Sequence, residues 1–249
     1  MAIDPFDYIT ADSFDFTQCE PIQLQVATPA PFMESKWIHG NSELLNLSEE
    51  FKQRMRARDF HICHFCGFPS RKYQELLVHN GQEWHPESVK TACIFCAQCS
   101  TLDWVGKMRS GMIIYLPELT QNELNRLLKV IYVLRISQSE LSTRANSLLT
   151  HLTKRRNRAK EIISDDPLQV AIELKNCKTA DSYTRLQKKL KDIRLFSLDR
   201  RIIQEDDLEY NQFPQILAYW RSKQGPFGGA RVPLLDPNCL DSYFAKLKI

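Results

Sequence analysis

Four cysteines in two pairs have the residue type and the spacing of a metal site. Cys63 and Cys66 form one C-x-x-C step, and Cys93 and Cys96 form a second. Zinc prefers four soft ligands at the corners of a tetrahedron, and a C-x-x-C step lets two thiolates approach one ion from a single turn. We therefore predict one structural Zn²⁺ held by all four cysteines. Four buried reduced thiols and two disulfides are the alternatives, and buried thiols alone give no reason for the paired spacing.

Short elements around the two pairs are predicted to position the thiolates. Gly67 follows the first pair directly and suits a tight turn that needs a positive φ. Thr91 is expected to cap a helix whose first turn carries Cys93 and Cys96. A turn and a helix start that each carry one pair are typical of a treble-clef zinc fold. Cys99, one turn beyond Cys96, is expected to be a buried thiol, although it is the best substitute ligand.

Four thiolates around one Zn²⁺ leave the cluster with a formal charge of about −2. Basic side chains close in sequence are expected to moderate this charge. These side chains are Arg56, Arg58, Arg71 and Lys72.

Composition favours a globular protein of the reducing cytoplasm. A chain of 249 residues that is 43% hydrophobic and 25% charged can bury one substantial core or two smaller ones. Its first residues lack the basic and apolar stretches of a secretory signal, and Lys129 interrupts the most apolar helical stretch. Eight cysteines without an export signal point to a compartment in which thiols stay free to bind metal. The net charge of +3 is too small to indicate nucleic acid.

The sequence predicts an α+β, mainly helical fold in four segments. These are an acidic, aromatic-containing arm (1–45), a zinc module (46–117), a helical region (118–205) and a C-terminal extension (206–249). The arm has no Lys or Arg before residue 36. We expect it to be extended and weakly ordered, and to dock on a basic groove of a partner or on the basic run 154–158.

Helical spacing and capping residues predict the remaining elements. Thr120 and Glu123 form a capping box for a helix whose apolar face carries Leu124, Leu127, Leu128, Ile131 and Leu134. A short strand is expected before Pro117. Further helices are expected at 48–58, at about 139–160, 166–176, 182–198 and 212–223, and at the end of the chain. Amphipathic helices after residue 118 are expected to form a bundle against the zinc module.

The run from Arg58 to Gly67, Arg-Asp-Phe-His-Ile-Cys-His-Phe-Cys-Gly, resembles the zinc-stabilised HNH endonucleases. Activity in that family implies a histidine base and a divalent ion held on the scissile phosphate. The first histidine matches His79. Ser88 replaces the loop-shaping asparagine, and Ala97 replaces the histidine after the last zinc cysteine. We therefore expect no catalytic site, and we interpret His85 as a surface histidine rather than a replacement ligand.

A closer resemblance extends over about residues 50 to 200. Its strings are Cys63-His-Phe-Cys-Gly67, Thr91-Ala-Cys-Ile-Phe-Cys-Ala-Gln-Cys99, Val105-Gly-Lys107 and Ile114-Tyr-Leu-Pro-Glu-Leu-Thr120. They resemble the DotN (IcmJ) family of the type IVB (Dot/Icm) secretion system, itself a degenerate HNH-like treble-clef zinc family.

The resemblance implies a non-catalytic adaptor in the type IV coupling complex. Such a subunit binds the C-terminal segment of the coupling ATPase, DotL, on the cytoplasmic side of the inner membrane. IcmS and IcmW chaperones help the same complex to receive effectors. The first 45 residues and those after about 205 do not match the family. A metal-dependent HNH endonuclease and a zinc-finger nucleic-acid-binding protein are the alternative functions, and a nucleic-acid binder would show a steep salt dependence of affinity.

Overall fold

The computed structural model describes residues 19–27, 37–39, 47–79, 86–137, 140–228 and 237–249, with only the backbone given for 37–39, 79 and 237–239. Its helices are α1 Glu49–Arg58, α2 Ile94–Cys99, α3 Leu102–Lys107, α4 Gln121–Arg135, α5 Glu140–Lys154, α6 Arg156–Ile162, α7 Pro167–Asn176, α8 Ala180–Leu190, α9 Phe213–Arg221 and α10 Pro237–Leu247. Its strands are β1 Trp37–His39, β2 Gln74–His79, β3 Val89–Cys93, β4 Gly111–Tyr115, β5 Ile193–Ser197, β6 Ile202–Glu205 and β7 Leu208–Asn211. The mixture of helices and small sheets confirms the predicted α+β class.

Among the described residues, three small antiparallel sheets join parts of the chain that lie at very different distances along the sequence. β1, β2 and β3 form the first sheet in that order. β4 pairs with β5 across the helical region, with Ile113 opposite Leu195. β6 and β7 form a hairpin that the sequence did not predict. Among the described residues, no helix combines the length and the apolar character that crossing a bilayer requires.

Helix α4 is the central helix of the core, and its start was predicted correctly. The Thr120 hydroxyl accepts a hydrogen bond from the Glu123 amide, and the Glu123 carboxylate accepts one from the Thr120 amide. All five predicted apolar-face residues of this helix are buried. Helix α5 packs along α4, while β5 covers another part of its surface.

The described part of the acidic arm is built into this core, contrary to the expectation of weak order. Ile22, Leu24 and Val26 are buried. The Gln25 amide donates to the Cys99 carbonyl, and the Gln25 carbonyl accepts from the Leu102 amide. Residues 19–27 therefore pack beside α2 and α3, whereas residues 1–18 lie outside the described part of the chain.

The predicted helix at 182–198 is wrong in its second half. Helix α8 ends at Leu190, and Ile193 and Phe196 lie in strand β5. Both residues are buried, as predicted. The apolar spacing is compatible with a helix, but pairing with β4 gives these β-favouring residues a buried sheet position, and tertiary pairing overrides a short periodic signal.

The predicted helix at 139–160 is interrupted at Arg155, which separates α5 from α6. The Arg155 carbonyl accepts a hydrogen bond from the Tyr115 amide of β4, and its guanidinium pairs with Glu118. These contacts with β4 and with the turn after it account for the break, which helical periodicity does not show.

Candidate metal centre

The four predicted ligand cysteines converge in the interior of the protein. The sulfur atoms of Cys63, Cys66, Cys93 and Cys96 all lie within 4.8 Å of one another, and all four residues are buried. The Cys66 and Cys93 sulfurs are 3.6 Å apart, well beyond a disulfide bond. A tetrahedron with Zn–S bonds of about 2.3 Å has edges of about 3.8 Å, so the donor set and its size fit a zinc ion.

The backbone around the first pair forms a tight turn. The Cys63 amide donates to the Phe68 carbonyl, and the Gly67 amide donates to the Cys63 carbonyl. Gly67 has φ of 69°, as the sequence predicted. A residue with a Cβ atom is strained in this left-handed region, which explains the glycine.

The second pair lies where β3 passes into α2, and Thr91 does not cap that helix. Cys93 itself is the N-cap, with an extended backbone and no side-chain capping bond. Thr91 lies two residues earlier in β3, where its amide donates to the Asp59 carboxylate and its carbonyl accepts from the His64 amide. These hydrogen bonds hold Thr91 in the strand and connect the two halves of the site.

Arg58 and Asp59 hold helix α1 against this strand. The Arg58 guanidinium donates to the Asp59 carboxylate and to the carbonyls of Pro86 and Val89. Arg58 therefore has a structural role beside the site.

Lys129 contacts the sulfur cluster with its ammonium group, and sequence reasoning missed this role. It lies in α4, is 1% exposed, and places its Nζ 3.4 Å from the Cys66 sulfur. The same ammonium donates to the Asn125 carbonyl and lies over the rings of Phe68 and Phe95, 4.9 and 5.1 Å from their centroids. The expectation that Arg56, Arg58, Arg71 and Lys72 moderate the cluster charge stays a prediction, to which the structure adds the contact of Lys129.

Asn125, one turn before Lys129, donates from its side-chain amide towards two sulfurs. Its Nδ2 lies 3.3 Å from the Cys96 sulfur and 3.8 Å from the Cys99 sulfur. Gln121 holds this amide in place by donating to Asn125 Oδ1. Helix α4 thus presents one positive charge and one polar donor to the thiolates, and such contacts stabilise metal-bound thiolates.

Electrostatics at the site favour negative charge on part of the cluster. Burial disfavours a thiolate, but hydrogen bonds from Cys63, Cys93 and Cys96, together with Lys129, hold the pKa of Cys66 well below its ordinary value. Burial also disfavours charge on Lys129, yet the neighbouring thiolates raise the pKa of its ammonium above its usual range. The positive and negative groups therefore stabilise each other in the interior.

Cys99 is a buried thiol, as predicted, and differs from the four cluster cysteines. Burial raises the pKa of its thiol to about 12, so it stays protonated at neutral pH. Its sulfur donates to the Phe95 carbonyl and accepts from Asn125. This environment favours a neutral thiol over a metal-bound thiolate.

Aromatic residues of the C-terminal extension cover the site. Phe68, next to the Gly67 turn, makes an edge contact with Trp220 of α9 at 5.3 Å between ring centroids. Phe227 contacts the same two rings. Gly225 permits this fold-back, since a Cβ there would lie 2.0 Å from the Tyr219 carbonyl oxygen. Trp220 and Phe227 are thus part of the wall around the metal site.

The structure describes only some of the residues that were compared with those of HNH nucleases. His79 ends β2, but its side chain lies outside the described part of the chain, as does the whole of His85. Ser88 is buried in a short 3-10 turn, and Ala97 is buried in α2. An alanine side chain offers no atom that binds a metal.

No family model matches this chain. Over 88 residues it is 41% identical to the type 4 apparatus protein DotN of Legionella pneumophila. That alignment takes in 34% of this chain and 41% of DotN, so the similarity extends over less than half of either protein.

Proposed function

We propose that this chain is a non-catalytic adaptor subunit of a Dot/Icm-type coupling complex. The 41% identity to DotN over 88 residues supports this proposal most directly. The buried four-cysteine cluster supports it further, because it fits the structural zinc expected in such a subunit. We place the protein in the cytoplasm, attached to the inner membrane through the complex, with IcmS- and IcmW-like chaperones as indirect partners.

The zinc module is interpreted as an HNH-like treble clef. A turn at Cys63–Gly67, a β-hairpin of β2 and β3, and a helix that begins after Cys93 follow one another in the order this fold requires. Cys63, Cys66, Cys93 and Cys96 would hold one Zn²⁺, which supplies a fixed cross-link in place of a larger core. The four sulfurs would fill all four coordination positions of the ion, so none would be open for catalysis.

The coupling ATPase is the proposed main partner, through a segment of its C-terminal region that binds across the helices after residue 118. A groove of about 450 Å³ lies between the end of α4 and α9. It is lined mainly by the apolar residues Ile136, Pro214, Leu217 and Ala218, with the polar residues Arg221 and Ser222 beside them, and Ile136 is 44% exposed. A partner helix or extended segment that covers this groove would bury apolar surface without a large electrostatic contribution.

We expect Ile136→Glu to weaken binding of the ATPase C-terminal segment at least roughly tenfold, because a carboxylate would be buried in an apolar contact. Calorimetry with the full chain measures this change together with the heat-capacity change of binding, which should be negative, and the affinity should vary little with salt. Leu208→Glu is the matched control, since Leu208 is 61% exposed on the β6–β7 hairpin. Failure of the wild-type chain to bind the ATPase encoded in the same gene cluster would contradict the adaptor function.

We also expect no nuclease activity with supercoiled plasmid in magnesium, manganese or nickel. Ala97 stands where an HNH site needs a second metal ligand, so nothing at that position holds an ion on the phosphate. His79→Ala is the control variant for contaminating nucleases. Plasmid cleavage that is present in the wild-type protein and lost in His79→Ala would contradict the proposal.

A further inference from the structure

A groove of about 360 Å³ lies where residues 21–24 meet helix α8 and strand β5. Its apolar wall is formed by Ile22, Leu24, Leu190 and Ile193. Asn122 of α4 fixes the segment that forms one side, because its side-chain oxygen accepts from the Ile22 amide and its side-chain amide donates to the Glu20 carbonyl. This groove and the one between α4 and α9 share no described residue, so the two are separate surfaces.

The charged side chains that line this groove are cationic. They are Lys191 and Arg194, and no described Asp or Glu lines it. The Arg194 guanidinium donates to the carbonyls of Leu119 and Lys191, which hold it in place without neutralising it. Burial lowers the pKa of this guanidinium, and the charges of Asp192 and Glu123 offset the effect only in part. A partly buried cation held by neutral acceptors favours an anionic ligand.

The side chain of Gln187, also in the wall of this groove, carries a buried donor that the described chain does not use. Its Nε2 has no hydrogen-bond partner among the described residues. A buried amide donor without a partner costs free energy, and native proteins leave few of them. A carboxylate or carbonyl oxygen bound in the groove would satisfy this donor.

The segment at 21–24 also has main-chain groups without partners. Pro21 and Gln23 are exposed while Ile22 and Leu24 are buried, which is the alternation of an extended chain. Within the described chain, the amides of Gln23 and Leu24 form no hydrogen bond. An extended peptide beside such a segment gains main-chain hydrogen bonds, which a small free carboxylate does not supply. The groove therefore fits a peptide better than a small anion.

We propose that this groove binds an extended acidic segment of a partner protein. An Asp or Glu of that segment contacts Arg194 and Lys191 and accepts a hydrogen bond from Gln187. A neighbouring apolar side chain packs against Leu190 and Ile193, while the main chain pairs along residues 21–24. This inference does not depend on the proposed role in secretion.

Selection of short random peptides displayed on phage, with the full chain as target, tests the proposal. We expect enriched peptides to carry Asp or Glu next to Leu, Ile, Val or Phe. The affinity of an enriched peptide, measured by fluorescence anisotropy, should fall roughly tenfold in Gln187→Leu and in Arg194→Gln, because each change removes a donor to the carboxylate. Replacing the acidic residue of the peptide by its amide should cause a similar loss, and Arg194→Gln should then add little to it.

Lys189→Gln and Ile136→Glu are the matched controls. The first removes an exposed charge of α8 that does not line the groove, and the second alters the groove between α4 and α9. Both should bind the peptide as the wild-type chain does. An equal loss in Lys189→Gln would show non-specific attraction of charge and would overturn the proposal.

Three further results would overturn the proposal. One is a selection that enriches no acidic peptide, and another is an enriched peptide that loses affinity only in Ile136→Glu. The third is unchanged affinity in Gln187→Leu, a variant that should stay folded because the amide donor it removes has no partner in the described chain. Circular dichroism verifies that each variant is folded.

Discussion

Replacement of Cys63 and Cys93 together with serine is expected to remove zinc and to unfold the protein. One cysteine from each C-x-x-C pair is lost, and the remaining two thiolates cannot close a tetrahedral site. A structural zinc supplies on the order of 10 kcal/mol of apparent folding free energy, which is comparable to the whole stability of a typical domain. Elemental analysis should give less than half an equivalent of zinc, and circular dichroism should show loss of cooperative unfolding.

Cys99→Ser is the matched control for this double variant. Cys99 is as deeply buried as the cluster and lies one turn from Cys96, but it is placed outside the four ligands. It should retain a full equivalent of zinc and a cooperative transition. A Cys63→Ser/Cys93→Ser protein that keeps both zinc and fold would contradict the assignment of the ligands.

Lys129→Met is expected to have the next largest effect. Methionine keeps much of the length of the side chain but removes the ammonium that lies 3.4 Å from the Cys66 sulfur. The thiolate charge would then lack its buried counter-charge, and removal of one partner of a buried ion pair costs roughly 3–5 kcal/mol. Urea denaturation should show this loss in the free energy of unfolding, and zinc should transfer faster to a chromogenic chelator.

Lys160→Met provides the comparison on the surface. Lys160 pairs with Asp165, but its side chain is 48% exposed, so its removal should change stability by less than about 1 kcal/mol. If Lys129→Met matched this control in both stability and zinc transfer, the stabilising role of Lys129 would be wrong.

Local signals predicted the parts of the metal site that are close in sequence. The two C-x-x-C steps, the positive φ at Gly67 and the Thr120–Glu123 capping box each depend on residues within a few positions of one another. Short-range geometry of this kind is determined largely by residue type. The structure confirms the positions of these residues, whereas the bound metal stays a prediction.

The features that the sequence did not predict depend on contacts between residues far apart in the chain. Lys129 is 63 residues from Cys66, and on a leucine-rich helix it looked like a polar interruption. Only the packing of α4 against the cysteine turns makes it the counter-charge of the cluster. Strand β5 is similar, because Ile193 and Phe196 take a strand conformation through pairing with β4, about 80 residues earlier. Residues 19–27 join the core by the same kind of distant contact.

X-ray absorption at the zinc edge, on the full chain purified without chelators, tests the central claim most directly. A Zn²⁺ held by Cys63, Cys66, Cys93 and Cys96 should give four sulfur neighbours at about 2.3 Å and no shorter shell of nitrogen or oxygen. A coordination shell with nitrogen or oxygen, or protein that contains less than half an equivalent of zinc, would contradict the account.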